Sequence, residues 1–124
     1  MDCPKCRGQL EEVSYQKVRI DRCKKCDGLW FDFAELQELL EMDGAESIDV
    51  GSPVLGGAYN GMQRIDCPVC KVVMIPMSDD KQQHINYEIC SQCYGVFLDA
   101  GEFSDLKEFT AGEWLAHLKN SLLK

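Results

Sequence analysis

The chain has 124 residues, 45% of them hydrophobic, and a formal net charge of −8, which suits one small soluble domain or two very small ones. Nothing in it approaches the roughly 18 consecutive apolar residues of a membrane span. A field of that sign also repels phosphate backbones and counts against a generic role on nucleic acid.

All eight cysteines fall into four C-x-x-C pairs: Cys3 with Cys6, Cys23 with Cys26, Cys67 with Cys70, and Cys90 with Cys93. A secreted disulfide framework scatters its cysteines through loops and follows a signal peptide. Here the first thiol is the third residue and no charged-then-apolar leader precedes it. The expectation is a cytoplasmic protein with reduced thiols.

One motif occurs twice. CKKCDGLWFDFAEL (Cys23 to Leu36) returns as CSQCYGVFLDAGEF (Cys90 to Phe103) at an offset of 67 residues, while the first thiol pairs repeat at 64. Repeat two therefore has three extra residues between its thiol pairs, and such insertions collect at hairpin tips. The reading in chain order is a first repeat over 1–42, a glycine-rich linker over 43–66, a second repeat over 67–109 and an amphipathic helix over 110–124.

In the first repeat, Val13 and Tyr15 go out and Val18 and Ile20 come back, a faint period of two. Leu29, Trp30 and Phe31 form a short apolar run that suits a third strand. Asp32 and Glu35 then precede Phe33, Leu36, Leu39 and Leu40 in helical spacing. An Asp at the N-cap accepts from a free backbone N–H, and a Glu three residues on reaches back to the cap, so this pair reads as a helix start and not as catalytic acids.

The linker contains DGAESIDVGSPVLGGAYNG (Asp43 to Gly61), with five glycines and one proline, and reads as mobile, although Ile48, Val50, Val54, Leu55 and Tyr59 have the character to dock on a strand. In the second repeat VVMIPM precedes the polar SDDKQQ, and Ile85, Tyr87 and Ile89 then alternate with Asn86 and Glu88, the pattern of a half-buried strand. Val96, Phe97 and Leu98 match the earlier third strand, and Asp99 and Glu102 match the helix start. Thr110 and Glu113 open a last helix with Trp114, Leu115, Leu118 and Leu122 along one side. Repeat one has no counterpart to this tail.

Each repeat is a three-stranded ribbon ending in a helix, about 40 residues long, a size at which an apolar core seldom suffices without a staple. The spacings C-x2-C-x16-C-x2-C and C-x2-C-x19-C-x2-C supply one. Two residues between thiols let a tight turn present both sulfurs to one ion, and a hairpin brings the second turn opposite. Candidate metal ligands are thus Cys3, Cys6, Cys23 and Cys26 in one quartet, and Cys67, Cys70, Cys90 and Cys93 in the other. Zinc (Zn2+, two per chain) suits four thiolates best, ahead of a rubredoxin-like iron site or a redox dithiol. Each four-thiolate zinc site adds a further −2 to the charge. Gly8, Gly28 and Gly95, two residues past a thiol pair, suit the positive φ such turns need; Val72 stands there in the remaining turn, which is expected to be wider or less regular.

CPKCRGQL followed by CKKCDGLWFDFAEL resembles the transcription-factor-IIB-type zinc ribbon (zinc-finger) family of small prokaryotic proteins. The match runs through Cys3, Cys6, Cys23, Cys26, Gly28, Trp30, Asp32 and Glu35, and again through Cys67, Pro68, Cys70, Cys90, Cys93, Gly95, Phe97, Asp99 and Glu102. It spans about two thirds of the chain. The resemblance implies a small metal-stabilised α+β fold of two tandem zinc ribbons, each a three-stranded β-ribbon plus a short helix, with an extra C-terminal helix. It leaves the biochemical role open.

The leading functional expectation is a non-enzymatic zinc-binding adaptor that meets a protein partner, or a second copy of itself, through the tail helix. One alternative is nucleic-acid binding by the basic cluster of the first repeat, where seven of the 13 Lys and Arg lie: Lys5, Arg7, Lys17, Arg19, Arg22, Lys24 and Lys25. Another is a thiol redox or metal-handling protein. Trp30 and Phe97 read as core packing, His84 and His117 as ordinary polar positions, and Asp79 with Asp80 as a polar hairpin tip; in some ribbons that enter RNA polymerase an acidic pair at this place positions magnesium.

Overall fold

The computed structural model describes residues 1–51, 65–78 and 86–107. The tail helix with Trp114, Leu115, Leu118 and Leu122, the tip with Asp79 and Asp80, both histidines, and Val54, Leu55 and Tyr59 lie outside these residues.

The first repeat forms β1 (Leu10–Tyr15), β2 (Val18–Cys23), β3 (Leu29–Phe31) and α1 (Phe33–Glu41), followed by a 3₁₀ turn at Ala45–Ile48. The second forms β4 (Ile75–Ser78), β5 (Asn86–Ile89), β6 (Val96–Leu98) and a second helix, α2 (Glu102–Lys107). Each repeat is the expected antiparallel ribbon. The faint alternation of β1 and β2 is real, with Val13 opposite Ile20 and Tyr15 opposite Val18.

The two ribbons do not stand apart. They join into one six-stranded sheet in the order β1-β2-β3-β6-β5-β4. The seam is the antiparallel pair β3 and β6, with Leu29 opposite Leu98, Trp30 opposite Phe97 and Phe31 opposite Val96. Since Trp30 and Phe97 occupy the same place in their repeats, the seam relates the halves by an approximate two-fold axis. The cause is visible in LWF and VFL. A strand that is apolar at every position needs both faces and its open edge covered, and each short strand covers the other's edge.

One face of the sheet carries the main core. Leu29, Phe31, Val96 and Leu98 point there and meet Leu36, Leu39 and Leu40 of α1 and Phe103 and Leu106 of α2. Phe31 and Phe103, from different repeats, stack at 5.5 Å between centroids. The other face holds Trp30, Phe97, Ile65, Met74 and the cysteines other than Cys93.

The two helix starts differ. Helix α1 has the expected capping box: the Glu35 N–H donates to Asp32 at 2.8 Å, and the Asp32 N–H donates to the Glu35 carboxylate at 3.1 Å. The matching expectation for Asp99 and Glu102 fails. Helix α2 begins at Glu102, after Gly101 at φ 88°, so Glu102 is its first residue and the box spacing no longer applies. The start is held instead by Asp49 from the segment between the repeats. Its carboxylate accepts from the Gly101 N–H at 2.9 Å, the Ser104 N–H at 2.9 Å and the Ser104 hydroxyl at 3.1 Å. The beginning of the expected mobile linker is therefore packed, with Ala45 and Ile48 buried against the main core, while Val50 is exposed.

Candidate metal centres

Each thiol pair sits in the same backbone turn. The first cysteine N–H bonds the carbonyl five residues on, and its carbonyl accepts from the N–H four residues on: Cys3 with Gly8 and Arg7, Cys23 with Gly28 and Asp27, Cys67 with Val72 and Lys71, Cys90 with Gly95 and Tyr94, all at 2.7–3.1 Å. The left-handed residue is the one just after the second cysteine, at φ 62°, 60°, 63° and 60° for Arg7, Asp27, Lys71 and Tyr94. This corrects the expectation that the following glycine supplies positive φ. It also explains why Val72 leaves its turn as regular as the others.

Gly28 and Gly95 serve another purpose. A Cβ on Gly28 would overlap the Phe97 ring, and one on Gly95 would overlap the Trp30 indole. Each repeat's aromatic thus abuts the other repeat's metal turn with its ring edge, where only a glycine lets it fit.

The turns bring the sulfurs together as the spacing required. In each quartet the four Sγ atoms lie within 4.8 Å of one another. Cys3 and Cys26 are 3.8 Å apart, Cys6 and Cys23 3.3 Å, and Cys67 and Cys93 3.7 Å. A tetrahedral ion with Zn–S bonds of about 2.3 Å separates its sulfurs by roughly 3.8 Å, so both quartets fit such an ion. All eight thiols are free of disulfides. Backbone N–H groups point at the sulfurs, as from Lys25 and Cys26 to Cys23 and from Val69 and Cys70 to Cys67, at 3.2–3.4 Å, which stabilises negative charge there.

Among themselves the thiols of a quartet hold protons unevenly. The hydrogen bond between Cys3 and Cys26 outweighs burial to hold Cys3 down at about 5 while pushing Cys26 up. Burial lifts Cys6 to about 11 and Cys93 to about 12. Burial also pushes Cys90 up, but the N–H groups of Cys93 and Gln92 together bring it down to about 7. At neutral pH each quartet keeps protons that a divalent metal would displace on binding.

Beside the first centre lies a cluster the sequence did not reveal. Lys5, between two candidate ligands, is 3% exposed and places Nζ 2.7 Å from both Glu88 of β5 and Asp99 beyond β6, with its ammonium 5.9 Å from the centre of the Phe97 ring. Glu88 Oε2 and Asp99 Oδ1 have no hydrogen-bond partner among the described residues. Burial raises Glu88 to about 7 against the pull of Lys5, and raises Asp99 as well. Glu88 was expected on the wet side of a half-buried strand; with Tyr87 and Ile89 it is instead buried, because Lys5 covers it from the other repeat.

Three of the cations named for the basic face of repeat one have carboxylate neighbours. Lys5 is inside, Arg19 lies 3.7 Å from Glu12, and Arg22 lies 3.9 Å from Glu11 while donating to the Ile48 carbonyl at 3.2 Å. Among the seven cations named for that face, Arg7, Lys17, Lys24 and Lys25 remain exposed without an ion pair among the described residues. No described helix is long and apolar enough to cross a membrane.

A family model described as a transcription factor zinc-finger matches residues 2–42 and, separately, residues 66–108. No curated protein and no solved structure matches the chain. The two matched segments begin one residue before a thiol pair and end at a helix, which is the unit the sheet repeats about its two-fold axis. The chain belongs to the transcription-factor-IIB-type zinc ribbon family, of which it carries two tandem copies.

Proposed function

We propose that the protein is a zinc-binding interaction module in which two structural zinc ions brace one scaffold that docks a protein partner, in transcription or another nucleic-acid machine. The observation that carries this reading is the closure of both quartets: four sulfurs per site, all within 4.8 Å, leave a tetrahedral ion no position for water or substrate. When bound, the metal would supply folding free energy. Cys3, Cys6, Cys23 and Cys26 would hold one ion, and Cys67, Cys70, Cys90 and Cys93 the other.

A protein partner is supported by the distribution of exposed apolar side chains. Of the six exposed large apolar side chains among the described residues, four, Val69, Val73, Ile75 and Tyr94, belong to the second repeat and are 39–59% exposed, apolar surface that a protein partner would bury. The expected tail helix with Trp114, Leu115, Leu118 and Leu122, outside the described residues, is the second candidate for that contact. Nucleic-acid binding is the weaker reading, because Lys5 is buried, Arg19 and Arg22 face glutamates, and the net charge of −8 repels phosphate backbones.

The test has two parts. Native mass spectrometry of reduced protein is expected to show two zinc ions per chain; iron, or a single ion, counts against the structural reading. A pull-down is then repeated with Trp114→Ala and with Val73→Asp plus Ile75→Asp. Loss of partners supports the docking surface, and variants that keep every partner remove it.

A further inference from the structure

We propose that the two metal centres are unequal: the second exchanges its metal with thiol ligands from outside by way of Cys93, while the first stays closed. The inference rests on the reading that both quartets hold metal.

The two-fold axis makes the comparison internal. Cys26 and Cys93 occupy the same place in their repeats, in the same turn, followed by a residue at φ 60° in both. Their surroundings differ. Cys26 is 2% exposed, whereas Cys93 is exposed, and Cys23 and Cys90 beside them are both fully buried. Backbone geometry therefore cannot be the reason.

The cover over the first centre comes from the chain that leaves α1. After the 3₁₀ turn, Asp49 is anchored to the start of α2, and this brings Gly51 against Asp27, the residue next to Cys26; a Cβ on Gly51 would stand 2.6 Å from that of Asp27. Lys5, at the first turn of the same centre, is turned inward onto Glu88 and Asp99. At the second centre the equivalents of Asp27 and Lys5 are Tyr94 and Val69, 42% and 59% exposed. Cys6 and its counterpart Cys70 are both half-buried, so the difference lies at Cys26: that side of the first quartet is covered by the second repeat and by the connecting segment, and among the described residues neither cover has a counterpart at Cys93.

A ligand residue exposed at the surface is where exchange begins. With the metal bound, an incoming thiol would take the place of Cys93 as ligand, and its proton would pass to the freed Cys93 thiolate. Charge is conserved and nothing is oxidised or reduced. The partner class is a soft thiol, small or borne by a protein, which would let the second centre give or take metal while the first maintains the fold.

The test uses the full-length, zinc-loaded protein, with its starting zinc count read by native mass spectrometry. N-ethylmaleimide is added below one equivalent, and adducts are mapped by peptide while the zinc count is followed. The expected result is a first adduct on Cys93, loss of one zinc and retention of the other. With a chromogenic chelator in excess, release should be biphasic, the fast phase about tenfold or more ahead of the slow one. A first adduct on any other cysteine, or release of both ions at one rate, overturns the proposal. A starting protein without zinc, still alkylated first at Cys93, would instead refute the metal reading and leave the exposure ranking intact. As a check on cause, Gly51→Ala should push the connecting segment off Asp27 and speed alkylation of Cys26; unchanged Cys26 reactivity overturns the argument that this segment closes the first centre.

Discussion

The outer edge of the Trp30 indole in the first repeat abuts Gly95 of the second so closely that a Cβ there would overlap Cη2, and the tip of the Phe97 ring abuts Gly28 in return. This reciprocal contact ties each metal turn to the opposite ribbon. It makes the seam between β3 and β6 part of both centres, not a contact between finished domains.

Gly95→Ala is expected to destabilise the metal-loaded protein by about 1–3 kcal/mol through overpacking against a rigid ring. The backbone at Gly95 has no positive φ, so the cost should come from the indole alone. A smaller side chain in the double variant Gly95→Ala, Trp30→Leu should recover part of it, giving a coupling energy in a double-mutant cycle of urea unfolding. Strict additivity would show that the contact is not the cause.

Lys5→Met should cost about 3–5 kcal/mol, because it leaves Glu88 and Asp99 buried without a cation. Adding Glu88→Gln and Asp99→Asn removes the uncompensated charges and is expected to restore much of the loss. Denaturant midpoints of the single and triple variants decide it; a triple variant less stable than Lys5→Met alone would contradict the assignment.

Asp49→Ala removes the cap of α2 and should lower stability by about 1 kcal/mol. Asp49→Asn, which keeps an acceptor, should lose much less. Hydrogen exchange at Ser104, whose N–H donates to Asp49, is expected to accelerate in the Ala variant before exchange in β5 does.

Because the ribbons share one sheet, the two halves should unfold together. Replacing Cys23 and Cys26 with Ser removes the first metal site, whose ion in small modules is worth an apparent ~10–16 kcal/mol. The loss should also weaken zinc retention at Cys67, Cys70, Cys90 and Cys93, read by competition with a chelator. Unchanged affinity of the second quartet and two separate thermal transitions would mean that the ribbons are independent.

What the sequence by itself determined is local. The spacing of Cys3, Cys6, Cys23 and Cys26, and of their counterparts, encodes tight turns and hairpins, and these depend on neighbours within a few residues. The same holds for the Asp32 and Glu35 capping box and for the alternation in β1 and β2. Tertiary structure decided what depends on long-range pairing. Lys5 reads as a surface lysine until the fold brings it to Asp99, 94 residues away, and only then does Glu88 become a buried carboxylate. Asp99 reads as a cap by analogy with Asp32, yet Gly101 shifts the helix start and Asp49 takes over. Gly28 and Gly95 read as flexible points because a lone turn shows no neighbour above it. The aromatic ring that requires them arrives from the other repeat, when two short apolar strands bury each other's edges.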